Sequence, residues 1–162
     1  MDRQTRATSL TALIIFTEEP ENGRDCDVPW KKLPQALAWI KEQGQSKAII
    51  MTSDTDRILP LDLTGCKKII LTKDRTYENS KSTLARTVKS TLNLAAVPGL
   101  EPVVIGGGET YNHFRSEINT LHLVLSPADM ALPSELHHDF PYVISQRTSG
   151  QSKEHSALVL GR

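Results

Sequence analysis

The stretch VVIGGGETYNHF, residues 103–114, decides the fold. Three β-branched residues run into three consecutive glycines, Gly106, Gly107 and Gly108, and a helical pattern begins at once. An apolar run that stops in glycine and turns directly into a helix is the junction of a buried strand with a crossover helix. Without a Cβ, the backbone N–H groups of such a turn can approach an anion, and the helix N-terminus adds partial positive charge. A tight strand-to-helix turn accounts for glycines equally well. The run alone therefore fixes an α/β junction and leaves a phosphate site open.

The same alternation extends in both directions. Residues 10–16 (LTALIIF), 48–51 (AIIM), 68–72 (KIILT) and 102–105 read as strands, and 121–125 alternates as LHLVL. Residues 142–145 and 157–160 supply two closing strands. Leu33, Ala36, Leu37 and Ile40 recur at i, i+3, i+4 and i+7 on one helical face. Pro34 suits the first turn of that helix and Gly44 its stop. Residues 109–116 read as a further helix. Residues 80–96 (SKSTLARTVKSTLNLAA) allow two readings. Leu84, Val88 and Leu92 line one helix, or a strand near Val88 precedes a short helix capped by Ser90; we favour the second. Early strands separated by helices pair in parallel, whereas the last two, joined by a polar loop, form an antiparallel edge. No repeat, low-complexity block or linker divides the chain, so residues 1–162 are expected to form a single domain.

Composition narrows the partners. Nineteen Lys and Arg balance nineteen Asp and Glu, a formal charge of zero. No basic field exists to favour nucleic acid or an anionic membrane, so neither is expected as a partner. The two cysteines, Cys26 and Cys66, fit no metal-ligand spacing and no disulfide framework, which suits a reducing cytoplasm. Arg3 and Arg6 precede LTALIIF, but that run holds a threonine and leads into TEEPEN rather than a small-residue cleavage site. It reads as a strand and not as a signal peptide, and no segment is long enough to span a bilayer. His137 and His138 beside Asp139 invite a metal-site reading. Adjacent strand residues point apart, however, so a solvated loop is expected there and no metal.

Several segments share a pattern. VIGGGETYNHF resembles the Val-Ile-Gly-Gly-x-x-x-Tyr signature of the dihydrofolate reductase family. VPWKKLPQALAWIK (28–41) resembles that family's Pro-Trp-x-Leu-Pro-x-x-Leu helix entry, with one extra residue before Leu33. AIIM followed by Thr55, then LTGCKKIILT (63–72), falls in the family's order, and YVISQRTSGQSKEHSALVLGR (142–162) matches its closing hairpin in pattern. The resemblance implies a three-layer α/β fold with a mostly parallel eight-stranded sheet, an antiparallel C-terminal hairpin and flanking helices. It implies NADPH along the carboxyl ends of the strands and reduction of dihydrofolate or a related small substrate. On this resemblance Gly106, Gly107, Gly108, Glu109, Thr110, Thr55, Thr72 and Lys73 would meet the cofactor, Lys73 near the ribose phosphate. Trp30 would lie over the nicotinamide and belong to the substrate pocket. Ala36, Leu37, Ile40, Leu59, Leu63, Ile105, Tyr111 and Val124 would line the pterin and benzoyl pocket, although ordinary core packing explains the same apolar types.

The departures are as informative. The family keeps one pocket carboxylate that bonds the pterin's amidine edge and promotes protonation; Ala36 stands at that position, and no residue is assigned as the acid. Gln35 is adjacent, but one helical step turns a side chain by about 100° and an amide does not titrate. Asp25 and Asp27 in the preceding loop are the remaining nearby carboxylates. The family's pocket threonine is Val124, its phosphate-binding glycine and arginine are Thr52 and Ser53, and its folate-clamping arginine is Cys66. Asp54 adds negative charge where phosphates are expected. Loss of a buried general acid commonly costs ~10²–10⁴ in rate, and these losses compound. The expectation is a reductase homologue with weak dihydrofolate activity. The alternatives are a non-catalytic fold kept as a binding or protein-interaction module, and a groove that holds an unrelated ligand.

Overall fold

The computed structural model describes residues 9–17, 28–63, 65–126, 136, 139–140, 142–148 and 156–161, and for 126, 142–148 and 156–158 the backbone alone. Cys26, Asp25, Asp27, His137 and His138 lie outside the described residues. Eight strands form one sheet in the order β4-β3-β2-β5-β1-β6-β8-β7. They are β1 (Thr11–Thr17), β2 (Lys47–Thr52), β3 (Lys67–Leu71), β4 (Thr83–Ala85), β5 (Glu101–Gly106), β6 (Thr120–Ser126), β7 (Tyr142–Thr148) and β8 (Ser156–Gly161). The helices are α1 (Pro34–Gln43), α2 (Ser53–Ile58), α3 (Val88–Ala95) and α4 (Gly108–Phe114), with a 3-10 turn at Trp30–Lys32. Strands β1 to β6 pair in parallel, and β8 joins β6 and β7 antiparallel, with a register shift between Val143 and Ser145. Among the described residues no helix is long and apolar enough to cross a membrane.

The central strands are apolar on both sides because both faces are covered. Leu13 and Ile15 of β1, Ile49 and Met51 of β2, and Val103 and Ile105 of β5 point to one core layer, shared with Ala36 and Ile40 of α1. Ala12, Ile14, Ile50 and Val104 point to the other, shared with Ala95 of α3 and with Tyr111 and Phe114 of α4. The split follows from topology. From β1 the chain moves outward to β2, β3 and β4; from β4 it returns to β5 and then crosses β1 to β6. Right-handed crossovers in opposite directions place their helices on opposite faces.

Local details amend the sequence reading. The 80–96 segment is a strand followed by a short helix, but Val88 opens the helix rather than the strand. The cap is Thr87: its hydroxyl accepts from the Ser90 N–H, and the Ser90 side chain returns to the Thr87 backbone. Ser90 is thus the third helical residue of a capping box. Helix α2 has no counterpart in the periodicity, since SDTDRI carries a single apolar residue. It starts because the Thr52 side chain caps the Thr55 N–H. Gly44 does end α1, yet in right-handed geometry. Its requirement is room: a Cβ there would lie 2.8 Å from the Cys66 sulfur.

Candidate functional site

The crevice of an open α/β sheet lies outside the carboxyl ends of its strands, where successive crossovers leave to opposite faces. Here that point falls between β1 and β5, which pair directly, with Ile14 opposite Gly106. Gly106 ends β5, and α4 starts two residues later. A Cβ on Gly106 would lie 2.2 Å from Thr110 Oγ1 and 2.6 Å from Thr110 Cβ. Helix α4 is therefore seated on the bare backbone of this glycine, which gives it a packing role independent of any ligand.

On the α1 side the crevice is apolar. Trp30, Ala36, Ile40, Leu63, Ile105 and Val124 are buried in one cluster, and Leu37 and Leu59 pack against it half-buried. The structure thus brings together eight of the nine residues expected in the substrate pocket. Ala36 and Val124 are only 8% and 9% exposed, so neither position is held by water. Gln35 is exposed and turned out of this layer. Glu42, the acid of α1, is exposed as well. The half-buried carboxylate of Asp56 on α2 is already engaged: Lys68 donates at 2.8 Å, Asn79 at 2.9 Å, and the Tyr77 hydroxyl completes the set. Burial works to raise its pKa, but these hydrogen bonds and the Lys68 charge together hold it below the usual carboxylate range. The same site drives the Tyr77 phenol upward, through burial first, then the hydrogen bond to Asp56, then the Asp56 charge. Trp30 brings a donor into the apolar layer: its indole N–H is buried with no hydrogen-bond partner among the described residues.

Tyr111 is the exception. It is fully buried in the opposite layer, against Phe16 and Phe140, and its hydroxyl donates to Asp139. Arg115 Nη2 meets the same carboxylate at 2.8 Å. The expectation that Tyr111 lines the pocket beside Ala36 is corrected by the sheet itself, which separates α4 from α1.

On the other side of the crevice lies a polar cleft of about 440 Å³. It is lined by the ends of β2 and β3 (Thr52, Ser53, Asp54, Leu71, Thr72, Lys73), the start of α3 (Arg86, Thr87, Val88), and Glu109 and His113 of α4. Ser53 Oγ donates to Thr72 Oγ1 at 3.0 Å, and Thr72 Oγ1 accepts from the Asp74 N–H at 3.1 Å. Arg86 Nη1 donates to the Thr72 and Asp74 carbonyls at 2.9 and 3.1 Å. Asp54 pairs with Arg57 at 2.8 Å, and Arg57 also reaches Asp74 at 3.2 Å. Of the residues expected at a cofactor, Thr72, Lys73 and Glu109 line this cleft. Thr55 and Thr110 are fully buried behind it, and Gly106, Gly107 and Gly108 are buried in the β5–α4 junction. Arg86, Thr87 and His113 escaped the sequence reading, because only the parallel pairing of β4 with β3 brings residue 86 beside residue 72.

A smaller hollow sits at the amino ends of the strands, with Trp39, His122 and the Lys47–Glu101 ion pair on its walls. The His122 ring lies 4.9 Å from that of Trp39, and burial pushes its pKa below the ordinary value.

The comparisons agree with this geometry. A solved structure described as dihydrofolate reductase from Enterococcus faecalis complexed with NADP(H) and RAB-propyl matches 95% of this chain and 96% of its own, with a TM-score of 0.68 and 18% identity. That likeness carries the fold. A family model described as dihydrofolate reductase matches residues 9–159, nearly the whole sequence. The chain belongs to the dihydrofolate reductase family.

Proposed function

We propose that this protein is a single-domain, nicotinamide-dinucleotide-dependent reductase of a small substrate, and that dihydrofolate itself is turned over weakly. The carrying observation is the polar cleft at the carboxyl end of the sheet, next to the apolar layer under α1. Open sheets of this kind bind dinucleotides at that place, and the similar Enterococcus faecalis structure is described with NADP(H) bound. When bound, the dinucleotide supplies the hydride. Thr72 and Lys73 would hold its phosphate end, and Trp30, Ile105 and Val124 would enclose the ring end and exclude water.

Proton delivery separates this chain from its relatives. A pterin ring protonates on nitrogen beside the carbon that takes the hydride, and a pocket carboxyl group normally promotes that step. Ala36 has no proton to give, and Val124 no hydroxyl to orient one. A carbonyl or imine whose proton comes from solvent after hydride transfer suits this pocket better than dihydrofolate. The buried indole N–H of Trp30 offers such a substrate one donor.

The second reading, a fold kept as a binding or interaction module, draws on the same two residues. Calorimetric titration with NADPH and NADH separates the two. Micromolar binding of either supports the reductase; no heat up to 1 mM (about 4 kcal/mol of binding) withdraws it in favour of the module.

A further inference from the structure

We propose that the polar cleft does not select for a 2′-phosphate and takes NADH about as well as NADPH. The inference rests on the dinucleotide reading above and concerns charge at the ribose end. Lys73 and Arg86 line the cleft together with two carboxylates, Asp54 and Glu109, and the imidazole of His113. Arg57 is shared between Asp54 and Asp74, and one guanidinium nitrogen of Arg86 is spent on the Thr72 and Asp74 carbonyls. A 2′-phosphate brings a charge of about −2 near neutral pH, as phosphate monoesters do. Sites that prefer it supply an unopposed arginine, whereas sites for the unmodified ribose place a carboxylate to accept from its hydroxyls. Asp54 and Glu109 open the two short helices that border the cleft, α2 and α4, so a carboxylate enters from each side. The attraction that Lys73 and Arg86 offer a phosphate is offset by these two groups. A hydroxyl meets the same carboxylates as acceptors.

The test is calorimetric titration of the full chain with NADH and with NADPH at one ionic strength, repeated on Glu109→Arg. NADPH should bind the parent no more than threefold tighter than NADH. Glu109→Arg should tighten NADPH about tenfold and weaken NADH, which loses a carboxylate acceptor. If that variant does not fold, shown by loss of its thermal transition, Glu109→Gln should tighten NADPH about threefold. A parent that binds NADPH more than threefold tighter than NADH overturns the proposal and leaves the reductase reading standing. An NADPH affinity unmoved in a folded variant overturns the role of Glu109. Failure of both nucleotides to bind overturns the reductase reading and this proposal with it.

Discussion

If the crevice binds a dinucleotide and a ring substrate as proposed, its ring end and its nucleotide end differ in what they keep. At the ring end the shape expected of the family is kept: Trp30, Ile40, Leu63 and Ile105 still pack into one layer with α1. The polar groups are missing, since Ala36 and Val124 stand where an acid and a hydroxyl were expected. At the nucleotide end the polarity is kept: Thr52, Ser53, Thr72, Lys73 and Arg86 still line an open cleft. Its charge is balanced by Asp54 and Glu109 instead of being positive. A fold can thus hold the outline of a site while its chemistry shifts, because packing is enforced by the whole core and a charge only by its ligand.

The largest effect on this contrast is expected at the hinge between the ends. Gly106→Ala should destabilise the protein by about 1–3 kcal/mol, the usual cost of overpacking. Chemical denaturation measures it. Because Thr110 Cβ itself lies 2.6 Å from the added methyl carbon, Thr110→Ala should not rescue the loss. Full rescue would mean that α4 is not seated on this glycine.

At the ring end, Ala36→Asp alone should raise dihydrofolate turnover less than tenfold, because Val124 and Cys66 are unchanged and ~10²–10⁴ is the full worth of a positioned acid. Steady-state absorbance at 340 nm reads it, and complete restoration would reduce the divergence to one residue. At the nucleotide end, Asp54→Gly should tighten NADPH about threefold, a modest gain for an exposed charge already paired to Arg57. An unchanged affinity would move the phosphates elsewhere.

The smallest effect is on pH dependence behind the ring end. Burial depresses the His122 pKa below 6.5, so the unfolded chain takes up this proton before the folded one. The stability linked to His122 is complete above pH 6.5 and declines as the pH falls toward the folded pKa. His122→Asn should flatten that acid-side decline in urea midpoints measured from pH 7.5 to 5. Parallel profiles for parent and variant would show the imidazole to be solvated.

Most of the fold was legible because the core strands and α1 announce themselves by apolar runs and period, and the apolar residues that share the layer under α1 came with them. The failures have physical causes. Helix α2 is set by a Thr52 cap and not by amphipathic pattern. Ser90 was read as a cap because Ser and Thr serve equally at that position, and only geometry shows that Thr87 precedes the helix. Tyr111 was assigned to the pocket although the sheet lies between it and Ala36; residue spacing carries no information about which face a crossover takes. Arg86 and His113 join the cleft through strand order, a long-range property without a local signature.

Reduction of dihydrofolate by the unmodified protein, followed at 340 nm with saturating NADPH and again with NADH, probes the loss of ring-end chemistry most directly. The account predicts a rate about 10²-fold or more below that of a relative with the pocket acid in place, with either nucleotide. A rate matching such a relative would contradict it, and would require an acid that α1 does not provide.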